Sequence, residues 1–330
     1  WKCLFGYKHA RLLSSGTAAD TACCMSLYAY GAQPGDEIIC PALSFIATAN
    51  AIRAAGFTPV FVDVRKETLN IDETLIEAAI TPKTRGIITV NLMGRPSELD
   101  VIQQLCQQYG LLHIVDNCEA YGSMFKGKLA LEYADMETSS HFLAHIIFGV
   151  EGGMDSTNCA NIDRLVEGIR SHGRMGGSNY FDHKIWGLNF KSSDLHASVA
   201  LPEIRTFWES FQTRLANLYE IREFCRGFED IAYFIEKDED RELAPHAFSI
   251  TLKTPGVLHR LTQALDEENI AWKRNFGCMA TQHSAFAYLN HKVGEFPNAE
   301  YIGVNGIHIG VHKFLTDENM ERIQNVLTET

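Results

Sequence analysis

Along the first half of the chain, short apolar runs alternate with segments whose apolar residues recur at helical spacing. Glu37–Cys40, Thr58–Val64, Gly86–Val90 and Leu111–Val115 are predicted as buried strands. Between them, Thr17–Ala29, Phe45–Ala55, Asp72–Ala79 and Glu98–Tyr109 carry the helical period. Such alternation predicts a mostly parallel sheet covered by helices on both faces. Ligands of such sheets bind beyond the C-terminal ends of the strands. Asp116 directly follows one predicted strand, and His145 lies in a further apolar run, Ser140–Gly153, read as a strand entering a glycine-rich turn. Both therefore fall at the expected binding edge. Arg205–Asp230 is strongly helical and leads to strands at Ala247–Leu252 and near Gly306–Val311, with helices at Gly256–Glu268 and Asp317–Leu327. The expected organisation is a large α/β domain over residues 1–208 and a smaller α+β domain over 209–330. The loops Phe276–Phe286 and Asn290–Ala299 are expected to wall a substrate cleft.

With 46% hydrophobic residues in 330, the chain can build a large core and more than one domain. A formal charge of −12 argues against a nucleic-acid partner and leaves room for a small phosphorylated ligand in a local pocket. No apolar run reaches membrane-spanning length and no signal peptide is visible, so no membrane partner is expected. Nine scattered cysteines without a CxxC pair predict buried free thiols in a reducing, cytoplasmic setting, and no zinc or iron–sulfur site. The opening Trp1–Gly6 reads like the interior of a domain, so further N-terminal sequence is expected.

Ser15-Gly16-Thr17-Ala18 opens a helix with small residues, which suits a phosphate approaching free backbone N–H groups; it is also an ordinary turn and cap. Ser140 is a candidate second phosphate ligand. Asp116 either pairs with a protonated pyridine nitrogen or caps the next turn. Glu119 either lines the same pocket or faces solvent, and Phe45 either stacks on a cofactor ring or joins the core. His145 alone reads as a structural histidine, yet its ordinary pKa suits proton shuttling. An imidazole cannot form the stable internal Schiff base that a lysine forms with an aldehyde cofactor. The nearest lysines, Lys126 and Lys128, sit in a predicted polar hairpin and are expected to be solvated.

Nearly the whole chain resembles the DegT/DnrJ/EryC1/StrS family of sugar-modifying, fold-type-I pyridoxal-phosphate enzymes. The resemblance rests on Ser15–Ala18, Gly35–Pro41, Phe61–Val64, Val90–Gly94, Asp116–Glu119, Glu151–Gly153 and Gly187–Phe190, taken in order and spacing. It implies a large α/β domain with a mostly parallel mixed sheet, a smaller α+β domain, and pyridoxal or pyridoxamine 5'-phosphate as cofactor. By the same resemblance Gly16, Thr17, Ala18 and Ser140 hold the phosphate, Phe45 covers the ring, Asp116 pairs with the ring nitrogen and Glu119 lines the pocket. Asn189 would reach the cofactor of a second subunit, giving a homodimer with composite sites.

Most members carry lysine where this chain has His145. A smaller histidine-bearing subset removes the C3 hydroxyl of a nucleotide-linked 4-keto-6-deoxy sugar, with L-glutamate as amino donor, and Asn298–Ile302 and Ile309–His312 are similar to that subset. The resemblance thus implies a 3-dehydratase with His145 as its base. A nucleotide-sugar 4-aminotransferase-like protein, inactive or regulatory in one form, is the alternative. The chain departs from the family at Gly149-Val150-Glu151, at the polar Met154–Thr157, at Phe190-Lys191 and in the loop Gly277–Thr281.

Overall fold

The structure, a computed structural model, describes residues 1–175 and 182–329. Its larger sheet has seven strands: β1 (His9–Leu13), β2 (Glu37–Pro41), β3 (Thr58–Val62), β4 (Thr84–Val90), β5 (Leu112–Asp116), β6 (Met136–Ser140) and β7 (Gly153–Thr157). They lie in the order β1–β7–β6–β5–β4–β2–β3. Only β7 runs against the others, pairing antiparallel with β1 and β6. The run from β6 to β3 is parallel throughout. The predicted parallel sheet is present, with β1, β6 and β7 extending it on one side.

Each crossover helix follows from local chemistry. Helix α1 (Gly16–Ser26) starts at Ser15, whose Oγ accepts the Ala18 N–H at 3.1 Å. Its Ala, Cys and Ser side chains are small enough to let it lie close against β6 and β7, and nearly every residue is buried. Helices α2 (Ala47–Ala54), α3 (Glu73–Ala79) and α4 (Leu99–Tyr109) follow; Asp72 caps α3, and Gly110 ends α4 at φ 65°. Ile38, Ile39, Ile87, Ile88, Ile114 and Val115 fill both faces of the sheet, each burial stabilising by roughly 1.5–3 kcal/mol.

After α5 (Ala160–Ile169) and α6 (Asp194–Arg205), the helix α7 (Phe207–Phe224) crosses the expected boundary at 208/209. Its first half packs Phe207 and Phe211 against Tyr121, Leu131 and Ile147; its second half packs Leu218 and Ile221 against the smaller sheet. That sheet orders β8 (Ala232–Phe234), β9 (Ala247–Leu252), β11 (Gly306–Gly310) and β10 (Trp272–Arg274), all antiparallel. Helices α8 (Leu258–Glu267) and α10 (Asp317–Glu329) bury Leu258, Leu261, Leu265, Met320, Ile323 and Val326 in its cluster.

Two expectations change here. The stretch Ser140–Gly153 is not a strand beyond Ser140: residues 141–152 form a loop closed by His141 N–H to Gly152 O and Gly149 N–H to His141 O, both 2.9 Å. Its apolar residues Ile146 and Ile147 are spent on packing against the Tyr121–Phe207 cluster. The polar Met154–Thr157, out of character for a strand, is one, and it is fully buried. Part of the loop expected to wall a cleft is also core: Gly277–Cys278 pairs with Leu43–Ser44, and Met279, Ala280 and Phe286 join the large-sheet cluster. Helix α9 (Pro297–Asn305) is fastened beside it, Asp63 accepting the N–H groups of Asn298 and Ala299. Among the described residues, no helix is long and apolar enough to cross a membrane.

Candidate active site

Four segments converge beyond the C-terminal edge of the large sheet: the start of α1, the start of α2, and the ends of β5 and β6. A Cβ built on Gly16 would stand 2.8 Å from Ser140 Cβ and 2.9 Å from Cys118 Sγ, so only glycine fits this corner unless those side chains move. A Cβ on Gly153 would stand 2.2 Å from the Ser15 carbonyl, which holds β7 directly under the helix start. The first-turn N–H groups of a helix lack intrahelical acceptors, and Thr17 is exposed beside them. Ser140 Oγ accepts the Phe142 N–H at 3.2 Å and keeps its own proton to donate.

Asp116 ends β5 and is buried. Its Oδ2 accepts the Thr48 hydroxyl at 2.8 Å and its Oδ1 the Cys118 N–H at 3.2 Å. Asp20, one turn into α1, accepts the Thr138 hydroxyl at 2.5 Å. A carboxylate oxygen of Asp20, one of Asp116 and the Cys118 sulfur all lie within 4.8 Å of one another. Burial pushes Asp116 above the usual carboxylate range, opposed by the Cys118 and Thr48 bonds. Burial and then the Asp116 charge push Asp20 well up. Two desolvated carboxylates this close favour a shared proton over two charges.

His145 is half-buried in the 141–152 loop. Its ring lies 5.3 Å, at 38°, from the ring of His246, which precedes β9. Burial, and after it the charges of His141 and Arg214, bring His145 down to about 3, so the imidazole is neutral at physiological pH. Among the described residues, its buried Nδ1 has no hydrogen-bond partner, and neither has His246 Nδ1. Glu119 is buried in the same region; its Oε2 accepts the Met93 N–H at 2.8 Å and its Oε1 lies 3.5 Å from His246 Nε2. Burial raises Glu119 to about 7.

Gly16, Ala18, Asp116 and Ser140 thus meet at one edge, with Thr17 open beside them. Phe45 is 59% exposed, with its ring 5.9 Å from that of Phe276. Asn189 is exposed and stands apart from the acids; the residue after it, Phe190, accepts the Ser14 N–H at 2.8 Å, which brings the segment alongside the entry to α1. Lys126 and Lys128 lie in the predicted hairpin, Lys126 paired with Asp100 at 2.6 Å and Lys128 over the Tyr133 ring. Sequence reasoning missed Asp20, Thr48 and His246. Asp20 was signalled by being the one acid in an otherwise uncharged helix; His246 had no local signal.

The profile of the DegT/DnrJ/EryC1/StrS aminotransferase family matches residues 2–328. A dTDP-4-dehydro-2,6-dideoxy-D-glucose 3-dehydratase of Saccharopolyspora spinosa is 28% identical, over 98% of this chain and 77% of that protein. GDP-perosamine synthase of Caulobacter vibrioides is 30% identical, over 96% of this chain and 84% of that protein. A solved GDP-4-keto-6-deoxymannose-3-dehydratase, a histidine-to-asparagine variant with bound GDP-perosamine, superposes with a TM-score of 0.87 at 25% identity. It covers 99% of this chain and 88% of that one. These relatives stand at similar distances, so the narrower likeness to the dehydratase subset is not singled out. The fold is that of fold-type-I pyridoxal-phosphate aminotransferases, with a large mixed α/β domain and a smaller C-terminal α+β domain. With the family's profile matching all but the first residue and the last two, the chain belongs to the DegT/DnrJ/EryC1/StrS aminotransferase family.

Proposed function

We propose that the chain is a pyridoxal/pyridoxamine 5'-phosphate enzyme modifying a nucleotide-linked sugar, and more narrowly a 3-dehydratase acting on a 4-keto-6-deoxy sugar with L-glutamate as amino donor. The residues fit the cofactor. The glycine corner at Gly16 leaves room that a Cβ would fill, beside the Ser140 hydroxyl and the first-turn N–H groups of α1, of which Ala18's is taken up by the Ser15 cap. Gly16, Thr17, Ala18 and Ser140 would hold the phosphate, and exposed Phe45 would cover the ring. Asp116 is a buried carboxylate supported by neutral donors alone, the kind of group that gains from pairing with a ring N–H⁺. When bound, the cofactor supplies an electron sink for bond cleavage beside the C4 ketone.

The observation that carries the dehydratase reading is the placement of His145: a half-buried imidazole, kept neutral by burial, in the loop that leaves Ser140. A neutral imidazole offers a lone pair that can accept a proton in passing, without tethering an aldehyde. The loop around it is closed by the His141 and Gly152 backbone, and the ring's Nδ1 is buried. Asn189, exposed near the entry to α1, would reach the cofactor of a second copy in a homodimer with shared sites. The test is mass spectrometry of products from a panel of 4-keto nucleotide sugars, with cofactor and L-glutamate present. A 3-deoxy product supports the reading, and a stable amino sugar refutes it. That second outcome defines the other reading, a sugar aminotransferase, which is favoured by the family's own description and by the 30% identity to a GDP-perosamine synthase.

A further inference from the structure

We propose that His246 is a positioning residue for His145: Glu119 holds His246 in one tautomer, and His246 in turn holds His145 with its Nε2 bare. This rests on the reading of His145 as the base.

Two buried nitrogens on neighbouring rings lack partners among the described residues. His145 Nδ1 and His246 Nδ1 are both buried, on facing rings whose centroids are 5.3 Å apart, and neither has a partner among the described residues. A buried nitrogen without a partner loses the hydrogen bond that water would have given it. Two such atoms on adjacent rings, too far apart to bond directly, satisfy each other through one bridging water when one carries the proton and the other is an acceptor. Glu119 decides which is which. Its Oε1 stands 3.5 Å from His246 Nε2; above about pH 7 Glu119 is a carboxylate and can only accept, so there His246 carries its proton on Nε2 and leaves Nδ1 as an acceptor. His145 is then the donor through Nδ1, and its Nε2 keeps a free lone pair.

The backbone supports this arrangement. Arg214 of α7 donates to the carbonyls of Pro245 and His246 at 3.2 and 3.5 Å, fixing the residue that presents the ring. Glu119 is anchored by the Met93 N–H at its other oxygen. The remaining charged or titratable groups that bear on the pair are His141, His308, Lys273 and the Arg214 guanidinium; each opposes a positive charge on the imidazoles, so both rings stay neutral and tautomer replaces charge as the controlled variable. When His145 takes a proton on Nε2, the His246–Glu119 pair stabilises the imidazolium. The proton remains on His145 and Glu119 remains a carboxylate. The logic is that of a histidine oriented by a hydrogen-bonded partner, in which the wrong tautomer is inactive.

Long-range ¹H–¹⁵N NMR of the cofactor-loaded, histidine-labelled protein at pH 7.5 reads both tautomers. The expected spectrum has His246 as Nε2–H and His145 as Nδ1–H, the form that a free imidazole disfavours. His246→Phe keeps a ring in place without an acceptor, and should return His145 to Nε2–H and lower kcat roughly tenfold to a hundredfold with little change in KM. His246→Asn puts an amide oxygen near the old Nδ1 and should keep His145 as Nδ1–H. His145 found as Nε2–H in the unmodified protein, or unaltered by His246→Phe, overturns the proposal. Should His246→Phe not fold, the wild-type and His246→Asn spectra decide alone. The tautomers are read whatever product forms, so failure here is distinct from failure of the dehydratase reading.

Discussion

Replacing Gly16 by alanine separates a structural glycine from a phosphate-site glycine. The new Cβ would meet Ser140 Cβ at 2.8 Å and Cys118 Sγ at 2.9 Å, against a comfortable contact of about 3.5–4 Å. Both neighbours are side chains, so relief needs a shift of roughly 1 Å, and overpacking of this kind costs about 1–3 kcal/mol. Alanine regains up to about 1 kcal/mol in helix propensity, leaving a net loss of about 0–2 kcal/mol. At about 2 cal/mol/K per residue, a chain of 330 residues loses no more than about 3 °C in Tm for that change. Cofactor binding responds far more strongly, because Ser140 is displaced and a methyl group enters the phosphate corner. At a cofactor concentration of about 100 times Kd, the unmodified protein gains about 2.7 kcal/mol, or about 4 °C. A hundredfold weaker site would keep less than about 1 °C of that rise. Scanning fluorimetry with and without pyridoxal phosphate measures both effects. A Gly16→Ala protein showing the full cofactor-dependent rise would refute the placement of the phosphate at α1.

His145→Asn should leave the cofactor spectrum and Tm in place while turnover falls by at least about a hundredfold; full retained turnover excludes His145 as the base. Val150 is β-branched yet sits at φ 67° and is largely exposed, so Val150→Gly should stabilise by about 1 kcal/mol, and a loss in urea denaturation would contradict the strain argument. Asp155 is buried on β7 with Oδ2 bonded to Cys23 and Oδ1 unpartnered among the described residues, and burial raises it to about 7. Its folded pKa exceeds the unfolded one, so between about pH 4 and pH 7 the unfolded chain loses the proton first, and the stability it contributes falls as pH rises. Asp155→Asn should therefore gain on the unmodified protein by roughly 2–4 kcal/mol between pH 4.5 and pH 8. A difference that does not change with pH would mean that Asp155 ionises freely.

The first half of the fold was legible because its signals are local. Strand runs such as Glu37–Cys40 and Gly86–Val90 lie wholly within observed strands, and the helix period ends near glycine or a polar cap, as at Gly110 and Asp72. The 141–152 loop was misread for a reason periodicity cannot detect: Ile146 and Ile147 are apolar because they pack on Tyr121 and Phe207 from a loop. The converse holds for β7, whose Asp155, Ser156 and Thr157 are buried by neighbours distant in sequence, Trp1 reaching Ser156 and Cys23 reaching Asp155. Asp116 and Gly16 could be picked out because each sits at an element boundary where backbone geometry restricts the choice of residue. His246 could not, since its role depends on Glu119 and His145, 127 and 101 positions away along the chain.

The charge pattern around the middle strands of the large sheet explains why these groups are tolerated in the interior. Asp20, Asp116, Glu119, Glu137 and Asp155 are all buried around β5, β6 and β7, and burial raises the pKa of each. His113, His141, His145 and His246 are lowered by the same cause. Burial thus disfavours charge on these acids and imidazoles alike, so this region is polar without carrying its full formal charge, while Glu119, raised only to about 7, is ionised in mildly alkaline solution. At Asp116 burial opposes ionisation while the Cys118 and Thr48 bonds favour it, and its charge in turn raises the neighbouring Asp20. A cationic ring nitrogen arriving at Asp116 would shift that balance, with Asp20 keeping the shared proton and Asp116 ionising. The site would then gain its one strong ion pair only when the ligand is bound, which favours a ring that can be protonated over a neutral aromatic of the same size.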